Sequence, residues 1–145
     1  MRLILKIDID NKLISNLNNT CNKLDAYGIH VIPYVLVTTF LELLIDKKSL
    51  IRKGYESIYD AVEATMDILV EDILNSTDEH TNLPTDIINE IHNNFNIIFN
   101  NPIFTNSMAA IIKDIGNKDL TNNITIIEKM KDSILIKLEV DDDNI

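Results

Sequence analysis

Glycine, proline and cysteine are scarce in this chain, and tryptophan is absent: 145 residues hold three glycines, three prolines and one cysteine. The glycines, Gly28, Gly54 and Gly116, stand far apart. A phosphate-cradling loop needs several close together so that the backbone can approach the anion, which excludes P-loop and Rossmann nucleotide sites. Cys21 alone forms no internal disulfide, and with three histidines it cannot furnish a Cys-rich zinc centre. His80 and His92 lack the HExxH spacing, and no serine sits in a G-x-S-x-G elbow. Nothing marks an oxidising compartment, so an intracellular, cytoplasmic location is expected, and no cofactor is.

Positive charge is also in short supply. Lys and Arg number 13 against 23 Asp and Glu, giving a net charge of -10. Such a chain repels nucleic-acid backbones and anionic lipid headgroups, so neither nucleic acid nor membrane is an expected direct partner, whereas basic proteins and metal ions are. Residues 1–10 alternate charged and apolar side chains, unlike a secretory signal. The most apolar window, 29–45, is interrupted by His30, Pro33, Thr38, Thr39 and Glu42, and belongs in a protein core rather than a bilayer.

What is abundant is isoleucine and asparagine, whose codons are rich in A and T, the bias of a low-GC bacterium, a virus or a phage. Hydrophobic content of 46% with 25% charged residues is enough to build a packed core over this length, so residues 1–145 are expected to form one domain with a frayed acidic tail at 141–145.

The clearest element is residues 54–77, GYESIYDAVEATMDILVEDILNST. At helical periodicity Tyr59, Val62, Met66, Leu69 and Ile73 gather on one side, while Glu56, Asp60, Glu63, Asp67 and Glu71 fall within roughly 80° on another. The rest of the chain is expected to pack against the apolar side. Carboxylates three and four residues apart repel by a few tenths of a kcal/mol per pair. The acidic face is thus either a solvated surface or a docking surface for a basic partner.

Residues 2–10 place Leu3, Leu5, Ile7 and Ile9 on one side and Lys6, Asp8 and Asp10 on the other, and 134–141 repeat that pattern. Period two predicts half-buried strands at both ends of the chain, paired either with each other or with a second copy. Asp10 or Asn11 caps a helix carrying Leu13, Leu17, Cys21 and Leu24 inward and ending at Gly28, which makes Cys21 a small buried hydrophobe. Residues 29–37 suit a strand or a Pro33-initiated helix; the expectation is an extended piece, then a helix opened by the Thr39–Glu42 capping box and running to about Lys53. Its basic end, Lys47, Lys48, Arg52 and Lys53, faces the acidic helix across Gly54. His30 is expected to be partly buried and hydrogen-bonded.

Residues 76–82 form a polar loop. Pro84 opens a helix with Ile87, Ile88, Ile91, Phe95 and Ile98 inward, ended by Asn100-Asn101-Pro102. A shorter helix over about 106–115, with Met108, Ile111, Ile112 and Ile115 inward, closes at Gly116. Residues 124–131 fit a helix or the first arm of a hairpin, and the hairpin is preferred. The fold class is therefore α+β: about five helices on a small antiparallel sheet that includes the N- and C-terminal strands.

Asp78, Glu79, His80 and His92 are candidates for a divalent-metal site if the polar loop folds back on the following helix. Otherwise no constellation carries chemistry. The functional expectation is a non-enzymatic protein acting through protein–protein contacts, as an assembly or regulatory subunit that self-associates into a homo-oligomer. Alternatives are an acidic mimic of nucleic acid that inhibits a basic nucleic-acid-binding protein, and a metal-dependent enzyme.

Overall fold

The computed structural model describes residues 1–46, 49, 51–52, 57–75, 83–120 and 124–140. Its elements, in chain order, are β1 (Arg2–Asp8), α1 (Asn11–Asp25), α2 (Pro33–Ile45), α3 (Ile58–Leu74), α4 (Thr85–Phe99), α5 (Pro102–Ile115), β2 (Thr125–Lys129) and β3 (Ser133–Glu139). Five helices pack on a three-stranded antiparallel sheet, an α+β fold in which both terminal strands take part.

Strand order is β1-β3-β2, so β1 and β3 pair within the chain, from Arg2 opposite Glu139 to Asp8 opposite Ser133. Only one of the two terminal strands is therefore an edge: β3 is central. Alternation decides which face is covered. Leu5, Ile7, Ile134, Ile136 and Leu138 are buried, while Arg2, Ile4, Lys6 and Asp8 stand on the opposite, exposed face. There Arg2 and Lys137 both reach Glu139, at 3.7 and 3.4 Å, pairs that at such exposure stabilise by about 1 kcal/mol at most. The 124–131 segment is indeed the arm of a hairpin. A register shift between Ile126 and Glu128 leaves Ile127 outside the ladder and exposed. Lys129 returns to the helix side, its ammonium 3.9 Å from the centroid of the Tyr34 ring on α2.

The helices begin where side chains can serve their unpaired N–H groups. Asp10 accepts from Leu13 N–H at 2.8 Å, and Ser57 accepts from Asp60 N–H at 3.4 Å. Asn101 works in both directions: its Oδ1 accepts from Phe104 N–H at 2.9 Å, and its Nδ2 donates to the Ile98 carbonyl at 2.8 Å, closing α4 and opening α5. With Pro102 in the first turn, α5 thus starts four residues before the expected Asn106. Gly116, at φ +58°, ends it in a backbone region that costs a residue with a Cβ.

The larger departure is α2. It starts at Pro33, not Phe40, so Thr39 and Glu42 lie inside a helix and cap nothing. β-Branched residues suggested an extended piece over 29–37, but this helix is nearly apolar all round, and burial of Leu36, Val37, Phe40, Leu41, Leu44 and Ile45 outweighs their weak helix propensity. The helix also stops at Ile45, short of Lys53. Arg52, expected among a basic cluster, instead donates from Nη1 to the Ile45 carbonyl at 3.0 Å and from Nη2 to the Gly116 and Lys118 carbonyls, tying the ends of α2 and α5 together. Lys47, Lys48, Lys53 and Gly54 lie outside the described residues.

α3 is not the sole centre of the molecule. It touches α2, α4 and α5, while α4 touches α1, α3 and α5. All four phenylalanines of the chain meet where α2, α4 and α5 converge: Phe40 stacks on Phe99 at 4.2 Å and on Phe95 at 5.4 Å, and Phe104 meets Phe99 edge-on at 4.9 Å. Val62, Met66, Leu69 and Ile73 are buried as the periodicity requires. Tyr59, placed on the same stripe, is instead 46% exposed, with its hydroxyl 3.5 Å from Thr105 Oγ1.

Candidate docking surfaces

Four carboxylates of the acidic helix face, Asp60, Glu63, Asp67 and Glu71, are exposed along α3; Glu56 lies outside the described residues. Over the 11 steps from Asp60 to Glu71 they extend about 16 Å at the helical rise. That spread suits an elongated partner and not a point ion. Two neighbours escaped the sequence reading. Ile68 stands exposed at the edge of the strip next to Glu71, giving it an apolar foothold, and Asp72 is exposed about 100° further round the helix from Glu71. From α4, His92 Nε2 approaches Asp67 Oδ1 at 3.8 Å.

Of the candidate metal ligands, His92 is thus set beside α3, while Asp78, Glu79 and His80 lie outside the described residues. Among the described residues no group of three or more His, Cys, Asp or Glu side chains is arranged to hold a metal ion.

Asp25, His30 and Cys21 line one shallow concavity at the end of α1, the residue types of a nucleophilic site. Geometry and electrostatics argue against that use. His30 is mostly exposed, contrary to expectation, and its Nδ1 engages Asp25 Oδ1 at the surface. Cys21 is only 4% exposed, and burial pushes its thiol up to about 11, the reverse of the lowered value that makes a thiolate nucleophile. Ile32 and Val35, both exposed, complete this concavity as an apolar rim.

A third surface gathers residues far apart in sequence. Asp8, Asp10 and Asp132 surround a concavity of about 470 Å³ whose other walls are Leu13, Ile97, Asn101, Pro102 and Ile103. Asp10 already caps α1, and Ile9 N–H donates to the Asp132 carbonyl at 3.0 Å, which holds the three carboxylates around the end of β1. Ile97 and Ile103 are 62% and 66% exposed, the most exposed large aliphatic side chains among the described residues.

Among the described residues no helix is long and apolar enough to cross a membrane. Comparison with known protein families, with curated proteins and with solved structures finds no match, so these surfaces are read from their own geometry.

Proposed function

We propose that this chain is a non-enzymatic subunit that acts through protein–protein contacts: it docks a basic partner on the carboxylate face of α3, and it self-associates. The observation that carries the reading is the exposure of Asp60, Glu63, Asp67 and Glu71 on one helix face, with Ile68 beside them. Asp60, in the first turn, is favoured by the helix macrodipole, but along the rest of the face each adjacent pair of like charges opposes the helix by a few tenths of a kcal/mol. A cationic surface laid along them turns that repulsion into attraction, and Ile68 adds a contact that salt does not screen.

Affinity capture with the wild-type chain and with Glu63→Gln/Asp67→Asn, each at low and at high salt, tests the proposal. The supporting result is a basic protein retained by the wild type at low salt and lost both with the double substitution and with added salt. In titrations of that purified partner, the substitution is expected to weaken binding by about 1–3 kcal/mol. Equal affinity in all four conditions identifies the face as merely solvated.

A further inference from the structure

The backbone of β1 has an open side, and hydrogen bonds at its ends say which residues face it. Met1 and Val140 exchange both backbone bonds, at 2.9 Å each, and Ile9 N–H donates to Asp132 at 3.0 Å. Along an antiparallel strand successive residues alternate the direction of N–H and C=O, so the odd-numbered positions address β3, and Arg2, Ile4, Lys6 and Asp8 point the other way. β1 is an edge of the sheet, and among the described residues none of these four makes a backbone hydrogen bond outside it. Such a row of donors and acceptors is a template for another strand.

We infer that β1 pairs antiparallel with β1 of a second copy about a two-fold axis at Leu5, joining two three-stranded sheets into one of six strands. The sequence RLILKID complements itself in that register. Arg2 falls opposite Asp8 of the second copy, Ile4 opposite Lys6, Leu3 opposite Ile7, and Leu5 opposite its own counterpart. The outward-pointing positions 2, 4, 6 and 8 meet each other, so every hydrogen-bonding pair is matched, and Leu3, Leu5 and Ile7 continue the covered face.

Charge selects this register over its neighbours. Sliding by one residue breaks the match of backbone groups and of faces. Sliding so that Ile4 meets its counterpart places Arg2 opposite Lys6; sliding so that Lys6 meets its counterpart opposes two ammonium groups. Directly opposed like charges destabilise a strand pair, whereas directly opposed opposite charges stabilise it. Only the register centred on Leu5 has two Arg–Asp pairs and no like-charge opposition.

The end of the strand suits the incoming residue. Beside Asp8 lies the concavity bordered by Asp10, Asp132, Ile97 and Ile103. Arg2 of the second copy brings its guanidinium to these carboxylates and lays its aliphatic stem toward the two exposed isoleucines. Two-fold symmetry repeats the contact at the other end, extending the interface beyond what a single seven-residue strand buries.

The inference rests on the self-association part of the proposed function and is independent of the α3 face. Sedimentation of the full chain across the micromolar range tests it, with three variants alongside. Ile4→Pro removes an outward N–H without removing a bond to β3, so it is expected to give a monomer with an unchanged circular dichroism spectrum. Arg2→Asp opposes Asp to Asp twice per dimer and should weaken association roughly tenfold or more. The exchange Arg2→Asp/Asp8→Arg restores opposite charges and should recover most of that loss, which a variant that merely misfolds would not do. A wild-type monomer throughout, a dimer indifferent to Arg2→Asp, or an exchange no tighter than the single variant overturns the inference. Glu63→Gln/Asp67→Asn leaves the dimer intact, so loss of the basic partner with dimerisation preserved counts against the α3 reading alone.

Discussion

Phe99 is the side chain on which the helix layer most depends, and truncating it should be correspondingly costly. It is fully buried, stacks on Phe40 and Phe95 with centroids 4.2 and 5.5 Å away, and receives the edge of Phe104 at 4.9 Å, so one ring joins α2, α4 and α5. A buried Phe→Ala change costs about 3–5 kcal/mol from lost transfer energy and the cavity left behind. Aromatic pairs contribute about 0.5–1.5 kcal/mol each beyond buried area, and three are lost together here. Phe99→Ala is therefore expected at the upper end, about 4–5 kcal/mol. Against a total of about 7–15 kcal/mol for a chain of this size, that is about a quarter or more of the stability. In urea, with a slope of about 2 kcal/mol/M, the midpoint should fall by about 2 M with the slope unchanged. Among the described residues Phe104 makes a single ring contact, with Phe99, so Phe104→Ala should cost less, about 3 kcal/mol. A loss below about 2 kcal/mol for Phe99→Ala, or a larger loss for Phe104→Ala, would refute the view that these rings form one stacked unit.

Between α1 and α4, buried Asn94 donates to Thr20 Oγ1 at 3.3 Å, and Thr20 in turn donates to the Asn16 carbonyl at 3.1 Å. Thr20→Val keeps the shape and strands the Asn94 amide, an expected cost of about 1–3 kcal/mol by chemical denaturation that Thr20→Ser should largely avoid. The Cys21 thiol, raised from 9.0 to about 11 in the folded chain, makes stability fall with rising pH. The unfolded state loses this proton first, so the contribution is whole below pH 9 and declines as pH rises toward 11, by roughly 2–3 kcal/mol. Melting curves of wild type and Cys21→Ala should converge over that window; parallel curves would show that the thiol ionises alike in both states.

Much of this architecture is fixed by local pattern. Period-two alternation at Leu3, Leu5 and Ile7 and again at Ile134, Ile136 and Leu138 specifies two one-sided strands, because successive side chains of a strand must face opposite ways. Helical spacing in α3 likewise separates Val62, Met66, Leu69 and Ile73 from Asp60, Glu63, Asp67 and Glu71, so the acidic candidate face was legible residue by residue. What lay beyond local pattern depended on packing. Residues 33–39 join a helix because a chain apolar on every side is best buried as one, whatever its β-branched residues prefer alone. Asn101 reaches the end of one helix and the start of the next only because α4 and α5 meet at its position. Tyr59 shares its periodicity with the core yet stands outside it, since a helix angle gives a direction and not the neighbour that fills it. The pairing of β1 with β3 across the whole chain, and the meeting of Asp8 and Asp10 with Asp132 beside Ile97 and Ile103, belong to the tertiary structure alone. Periodicity carries information over a few residues, whereas a surface built from four segments exists only once every intervening helix has been laid in place.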